Sequence, residues 1–360
     1  MKKRNIIILL CVAVIGVAAL IIAGQGSKKS TFKQDYHIED TTTVTKIFMA
    51  DKQNNSVLLT KGFEGNDSIW AVDETYEASQ PMVNLILETL HDMRIRYQVN
   101  KNAVPNAIKN ISANHIKCEV YQRVPFINWF GGAVKLFWHE KRTATYYIGH
   151  ETQDNLGSFI FREGDKAPCV VHIPGFRGFL SPRFVTDPNL LRTHRIVNLN
   201  VRQIQEVDLD ITDSPEESFS IIKDGDMFSL QIGKNKALAQ TFDTARVAQM
   251  LLSFSNLNFD EYAKNVPQAE LDTTFRRSPI TILTITDTTG VSHKVETYRK
   301  YINAEDNARM GDKISSVFDL DRMYAIIDKK DTVLIQYFSF DNILQPASYF
   351  LGQEKQYLSE

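Results

Sequence analysis

Apolar residues follow three different patterns along this chain. Over residues 6–23 they run on without a charged or strongly polar interruption. Through much of the rest they alternate with polar residues at a period of two, as half-buried antiparallel strands do. In two places they recur at intervals of three and four, as on one face of a helix. The early alternating segments are 44–49, 56–59 and 68–72, and the later ones are 204–211, 218–222 and 227–230. The first helical stripe is Val83, Ile86, Leu87, Leu90 and Met93, behind Ser79 as N-cap and with Pro81 in the first turn. The second is Val247, Met250, Leu251 and Phe254, behind Asp243.

The two sets share an order. Three strands and a helix lead in each to a Val-Pro pair, Val104-Pro105 or Val266-Pro267, and then to another strand-rich block from 116 or 280. Each block closes on a hairpin-like pair, 158–162 with 169–173 and 323–327 with 332–337. The expected fold is therefore α+β: an N-terminal transmembrane helix, then two similar halves of mainly antiparallel strands, each with a packed helix. The expected divisions are an anchor at 1–23, a polar tether at 24–40, a first half at 41–190 and a second at 191–360.

The first apolar run matches a membrane span in length. At 1.5 Å per residue it would reach about 27 Å, against a hydrocarbon core of about 30 Å. Lys2, Lys3 and Arg4 precede it and Gly24-Gln25-Gly26 follows. A basic start, a long apolar run and a polar exit are the order of a signal anchor, whereas a cleaved leader has a shorter apolar region and a small-x-small exit. The expectation is a single-pass protein of the inner membrane with its body in the periplasm.

Composition changes this picture little. The chain of 360 residues is 43% hydrophobic, 23% charged and 10% aromatic, enough to bury a sizeable core. A formal net charge of −2 gives no electrostatic footprint for nucleic acid. Of three cysteines, Cys11 lies in the apolar run; Cys118 and Cys169 lie in strand-like segments, read as small core residues. An oxidising compartment would permit a bond between them.

Candidate chemistry is sparse. His139-Glu140 and His150-Glu151 lack the spacing of two histidines four apart that a helical zinc site needs. No nucleophile elbow, dinucleotide fingerprint or phosphate loop occurs, and Asp208, Asp210 and Asp213 do not follow a calcium-loop spacing. No metal, cofactor or catalytic residue is expected. Two segments do attract attention. In 173–184, Gly175 and Gly178 allow close backbone approach, and Arg177 with Arg183 can clamp an anion; bracing of the fold is the competing reading. In 124–138, Phe126, Trp129 and Phe130 sit in a stretch unusually apolar for a loop, suited to a partner, a membrane interface or the chain's own core.

A family likeness accompanies these segments. Tyr121-Gln122-Arg123-Val124, Lys135-Leu136-Phe137, Tyr146-Tyr147-x-Gly149 with Thr152-Gln153-Asp154-Asn155-x-Gly157, and His172-Ile173-Pro174-Gly175-Phe176-Arg177-Gly178-Phe179 occur together. The set resembles the Bacteroidota branch of the uncharacterised domain-of-unknown-function family four-three-four-zero. The resemblance implies one N-terminal membrane segment, an extracytoplasmic body and, because some distant relatives are encoded beside transporter genes of the gliding-motility type, an auxiliary role at an export or envelope machine. It carries over no catalytic residue. Leu191-Arg192-Thr193 stands where the family pattern implies Trp-Arg-Asp. The expected function is thus a non-enzymatic envelope protein that engages a protein partner. A binding module for an anionic glycan or lipid headgroup is the first alternative, and an envelope-polymer hydrolase the second.

Overall fold

The computed structural model describes residues 36–63, 65–129, 134–225, 227–302 and 317–352. The expected anchor at 6–23, most of the expected tether and Phe130 lie outside them. Among the described residues no helix is long and apolar enough to cross a membrane. The protein is α+β, mostly antiparallel strands in two large sheets plus a few helices. It divides into two compact units, Met1–Thr193 and His194–Glu360.

The first unit contains β1 (Val44–Ala50), β2 (Ser56–Phe63), β3 (Asn66–Val72), β4 (Tyr76–Glu77), β5 (Arg94–Gln98), β6 (Ile116–Trp129), β7 (Val134–Glu151), β8 (Ser158–Arg162) and β9 (Cys169–His172). They lie in the order β4-β3-β2-β1-β6-β7-β8-β9-β5. Alternation decides which side chains are buried: Ile47 and Met49 of β1, Val57 and Leu59 of β2, and Cys118 and Val120 of β6 all enter one core. Helix α1 (Gln80–Asp92) adds Val83, Ile86 and Leu90 to that core, so the three-four stripe faces the sheet. Burial of each such side chain contributes about 1.5–3 kcal/mol. Ser79 occupies the N-cap without a side-chain capping bond, and Pro81 pre-sets the first turn.

The Val-Pro pair, which carries no visible period in sequence, opens a second helix, α2 (Val104–Ala113). It lies on the other face of the sheet, against β7 and β8. Gly149 of β7 makes that approach possible. A Cβ there would stand 3.0 Å from Ile111 Cγ1 and 3.1 Å from the Phe159 carbonyl oxygen.

The second unit follows the same path. Its strands are β10 (Arg195–Val197), β11 (Ile204–Ile211), β12 (Phe219–Asp224), β13 (Met227–Ile232), β14 (Ala237–Leu238), β15 (Leu257–Asn258), β16 (Glu261–Tyr262), β17 (Thr281–Asp287), β18 (Ser292–Tyr301), β19 (Phe318–Ile327) and β20 (Asp331–Gln336). The large sheet runs β14-β13-β12-β11-β17-β18-β19-β20-β16, position for position the order of the first. Helix α3 (Thr244–Ser253) buries Val247, Met250 and Leu251 in the core with Val207, Ile221 and Leu283. Asp243 caps it through the backbone N–H groups of Ala245 and Arg246. Helix α4 (Gln268–Phe275) covers the opposite face, in a smaller cluster with Tyr298, Tyr324 and Leu334.

Cys118 and Cys169 are buried and free. The register explains why they do not meet. Cys169 pairs with Ile160, Ile160 with Ile148, and Ile148 with Ile116, so the two cysteines stand three strands apart. Three strand spacings are about 14 Å, beyond the roughly 7 Å that a disulfide can bridge.

Candidate functional site: an apolar β-arm

The segment expected as an apolar loop is a β-arm. Strands β6 and β7 continue together past the rest of the sheet, from Arg123 opposite Glu140 out to Trp129 opposite Val134. Neighbouring strands stop short of this: β1 last pairs with β6 at Gln122, and β8 pairs with β7 only from Tyr146 onward. The topologically matching hairpin of the second unit, β17–β18, has no such extension. It closes at the turn where the Gly290 N–H donates to the Asp287 carbonyl. The arm is therefore an addition to the shared fold, not a requirement of it.

Its residues divide by face. Directly paired residues share a face, which places Pro125 with Trp138, Ile127 with Leu136, and Trp129 with Val134 on one side. Six apolar side chains in three cross-strand pairs make this a continuous stripe. The other side carries Val124 with His139, and Asn128 with Lys135; the Phe126 ring lies edge-on to His139, centroids 6.1 Å apart. Phe126 is 74% exposed, Phe137 71% and Trp138 45%. Phe137 also holds φ at +57°, a region that aromatic residues seldom adopt.

The base is firmly held. Glu119, nearly buried, accepts from the Tyr121 hydroxyl at 2.8 Å and from Arg142 Nη1 at 2.9 Å, with Lys117 Nζ at 2.6 Å. Burial alone would raise the Glu119 pKa, but these three donors hold it below its ordinary value. Glu140 accepts from Thr45 Oγ1 at 2.7 Å and Lys46 Nζ at 3.1 Å, and the Thr45 bond leads in lowering its pKa. Gln122 Nε2 donates to Thr43 Oγ1 at 2.8 Å. The arm is thus clamped to residues 43–46, where the chain enters the sheet.

Tyr36 and Ile38, expected within the polar tether, are buried in the first unit's core. The Tyr36 hydroxyl donates to Asp165 Oδ2 at 2.6 Å, and its carbonyl accepts from the Tyr146 hydroxyl at 2.5 Å. Asp165 belongs to the turn that also carries Glu163, which lies 3.5 Å from Arg142 at the arm's base. The described chain therefore begins at the same end of the sheet from which the arm projects.

The residues expected in 173–184 form a brace. Arg183 lies 4.4 Å over the Phe176 ring and donates from Nη1 to Thr89 Oγ1 at 3.2 Å. Gly178, at φ +156°, leaves room for that ring: a Cβ there would meet Phe176 Cε1 at 2.7 Å. Gly175 turns the chain at φ +82°, with the Phe176 N–H donating to the Ile173 carbonyl. Leu180 is buried and its N–H donates to Ser158 Oγ at 2.8 Å. Arg177 is exposed. These residues stand apart from Phe126 and Trp129, in a different connection of the unit.

A cleft of about 480 Å³ in the second unit is lined in part by Arg299, Asp319 and Tyr337, none of them singled out by the sequence. Two of its charged groups are engaged: Asp319 Oδ2 accepts from Lys300 Nζ at 2.8 Å, and Arg299 lies 4.9 Å over the Phe318 ring. Among the described residues no three His, Cys, Asp or Glu side chains are placed to hold a metal ion. His139 lies against Phe126, and His150 lies 6.0 Å from the Phe159 ring.

A family model described as Domain of unknown function (DUF4340) matches residues 70–274, more than half of the chain. The chain belongs to this family. The DUF4340 match starts in β3, takes in the whole β-arm and the 173–184 brace, and ends in α4 of the second unit. No curated protein and no solved structure matches the chain.

Proposed function

We propose that this DUF4340 protein is a non-enzymatic accessory protein of the cell envelope, anchored in the inner membrane by residues 6–23, with its two-unit body in the periplasm and the β-arm as its docking surface. The observation that carries the reading is the arm itself: an apolar two-stranded extension, absent from the matching hairpin of the second unit and clamped at its base by Glu119, Arg142 and Glu140. Rigid presentation of exposed aromatics suits recognition, since ordering entropy is already spent in the free protein. The continuous apolar run ahead of Tyr36 supports attachment to a membrane. The shared strand order of the two sheets supports an origin by duplication, after which one copy gained the arm.

The test replaces residues 123–142 by a short turn resembling the one that closes β17–β18. Membrane fractionation and chemical crosslinking in cells then follow the protein. The variant is expected to remain in the inner-membrane fraction yet lose the crosslinks, to lipid or to protein, that depend on the arm. An unchanged pattern would remove the arm as a docking surface, and recovery of the unmodified protein in the soluble fraction would remove the anchor.

A further inference from the structure

We infer that the β-arm docks on the anionic headgroup layer of the bilayer, so that this protein holds its membrane at two points, residues 6–23 and the arm. The inference rests on the anchored reading above and names what the arm engages. Three observations point the same way. First is geometry. Tyr36, where the described chain begins, is fixed at the end of the sheet from which the arm projects, through Asp165 and the neighbouring Glu163–Arg142 pair. The chain between Ala23 and Tyr36 can span at most roughly 45 Å, and the arm from Arg123 to Trp129 reaches about 20 Å from the sheet. A body tethered at that end has the arm within reach of the surface that holds the apolar run.

Second is charge. The whole chain has a net charge of −2, yet the arm carries Arg123, Lys135, Lys141 and Arg142 against a single carboxylate, Glu140, which Lys46 engages. Arg142 is held by Glu119 and Glu163. Arg123, Lys135 and Lys141 are exposed. Basic groups flanking exposed aromatics match an anionic membrane surface.

Third is chemistry. Trp129 and Trp138 lie on the apolar stripe, and tryptophan favours the interface between headgroups and acyl chains. Depth follows from the backbone. Among the described residues the outer edges of both arm strands have no neighbouring strand, and unpaired N–H and C=O groups are too costly to enter hydrocarbon. The arm therefore rests at the headgroup level and does not cross.

The chain's tryptophans report this directly. It has three; Trp70 is buried in the core and the other two are on the arm. The full chain is reconstituted into protein-free vesicles of phosphatidylcholine with or without phosphatidylglycerol, some with brominated acyl chains, and flotation is checked. The expected result is emission quenched by shallow bromines more than by deep ones, more strongly with phosphatidylglycerol. In Trp129→Phe/Trp138→Phe, which leaves only the buried Trp70, quenching should vanish. Neutralising Arg123, Lys135 and Lys141 to Gln should erase the difference between the two lipid mixtures. Flotation with equal quenching in the wild type and the double variant would overturn the inference while leaving arm docking open to a protein. A blue shift of arm emission in native envelopes but not in protein-free vesicles would put a protein there and overturn it too. Failure to float would remove the anchored reading and this inference together.

Discussion

Tyr36 and Asp165 are joined by a 2.6 Å hydrogen bond between parts of the chain 129 positions apart. Burial and the Asp165 carboxylate push the Tyr36 pKa far above the ordinary tyrosine range, so the hydroxyl stays a donor at any physiological pH. This contact fixes where the chain joins the first unit. Tyr36→Phe removes one hydrogen bond and is expected to cost about 1 kcal/mol. Tyr36→Ala also leaves a cavity and should cost about 3–5 kcal/mol. Urea unfolding in a Trp129→Phe/Trp138→Phe background, followed by the emission of Trp70, which lies in the same core, measures both. Equal losses for the two variants would show that the site collapses and that packing there is not what matters.

Lys300 and Asp319 form an ion pair at 2.8 Å with both side chains almost wholly buried. Burial would raise the Asp319 pKa, but Lys300 and the N–H groups of Asp321 and Arg322 bring it below the ordinary 3.8. The sign follows: a depressed carboxylate stabilises the fold above pH 4 or so, and that contribution is lost as pH falls through the folded value. Lys300→Met leaves a buried charge and should destabilise by about 3–5 kcal/mol. Lys300→Met with Asp319→Leu should recover much of that, which a double-mutant cycle by calorimetry would read.

His293 Nδ1 lies 3.0 Å from Asp328 Oδ2. The Asp328 bond raises the His293 pKa above 6.5, while Asp328 is lowered from 3.8, against its burial, by His293 and the Lys294 N–H. A raised histidine adds stability below its unfolded pKa, lost as pH rises through the folded one; the depressed aspartate behaves in the opposite sense at the acid end. The pair should therefore contribute most between about pH 4 and 6.5. NMR titration of His293 in the wild type and in Asp328→Asn tests this, with the upward shift expected to disappear in the variant.

Burial pushes the Cys118 thiol up to about 12 and raises that of Cys169 as well. Thiolate is the reactive form, so both should resist alkylation in the native protein. In a Cys11→Ser background, labelling should be slow, should follow unfolding, and should reveal two free thiols after denaturation without reductant. Recovery of an intramolecular disulfide would contradict the three-strand separation.

Much of this fold is legible in the sequence because local periodicity and tertiary burial agree. The stripe of Val83, Ile86 and Leu90 and the alternation around Ile47 and Met49 point to the side that is in fact buried. Helices α2 and α4 are less legible. They cover a face already half satisfied by the sheet, so Ala107 and Ile111, or Leu271 and Thr274, are the only buried positions each contributes. The arm was visible only as an excess of apolar residues between Val124 and Trp138. Its register depends on pairing across the hairpin, and its clamps join Glu119 to Arg142 and Thr45 to Glu140, links that no local pattern contains. Arg183 shows the converse: its type suggested an anion, and what decides its place is the aromatic ring beneath it.

The strand order has a consequence in time. In each sheet one edge strand is made early but paired last: β5 precedes β6 in the chain yet rests against β9, and β16 precedes β17 yet rests against β20. A polypeptide emerging from its N-terminus holds β5 without its neighbour until Cys169–His172 has emerged. Such non-local closure is slow and leaves sticky edges during the wait. A chain halted before residue 169 would keep its first sheet open, and the same delay repeats in the second unit, making its biogenesis a matter of two successive waits for a late strand.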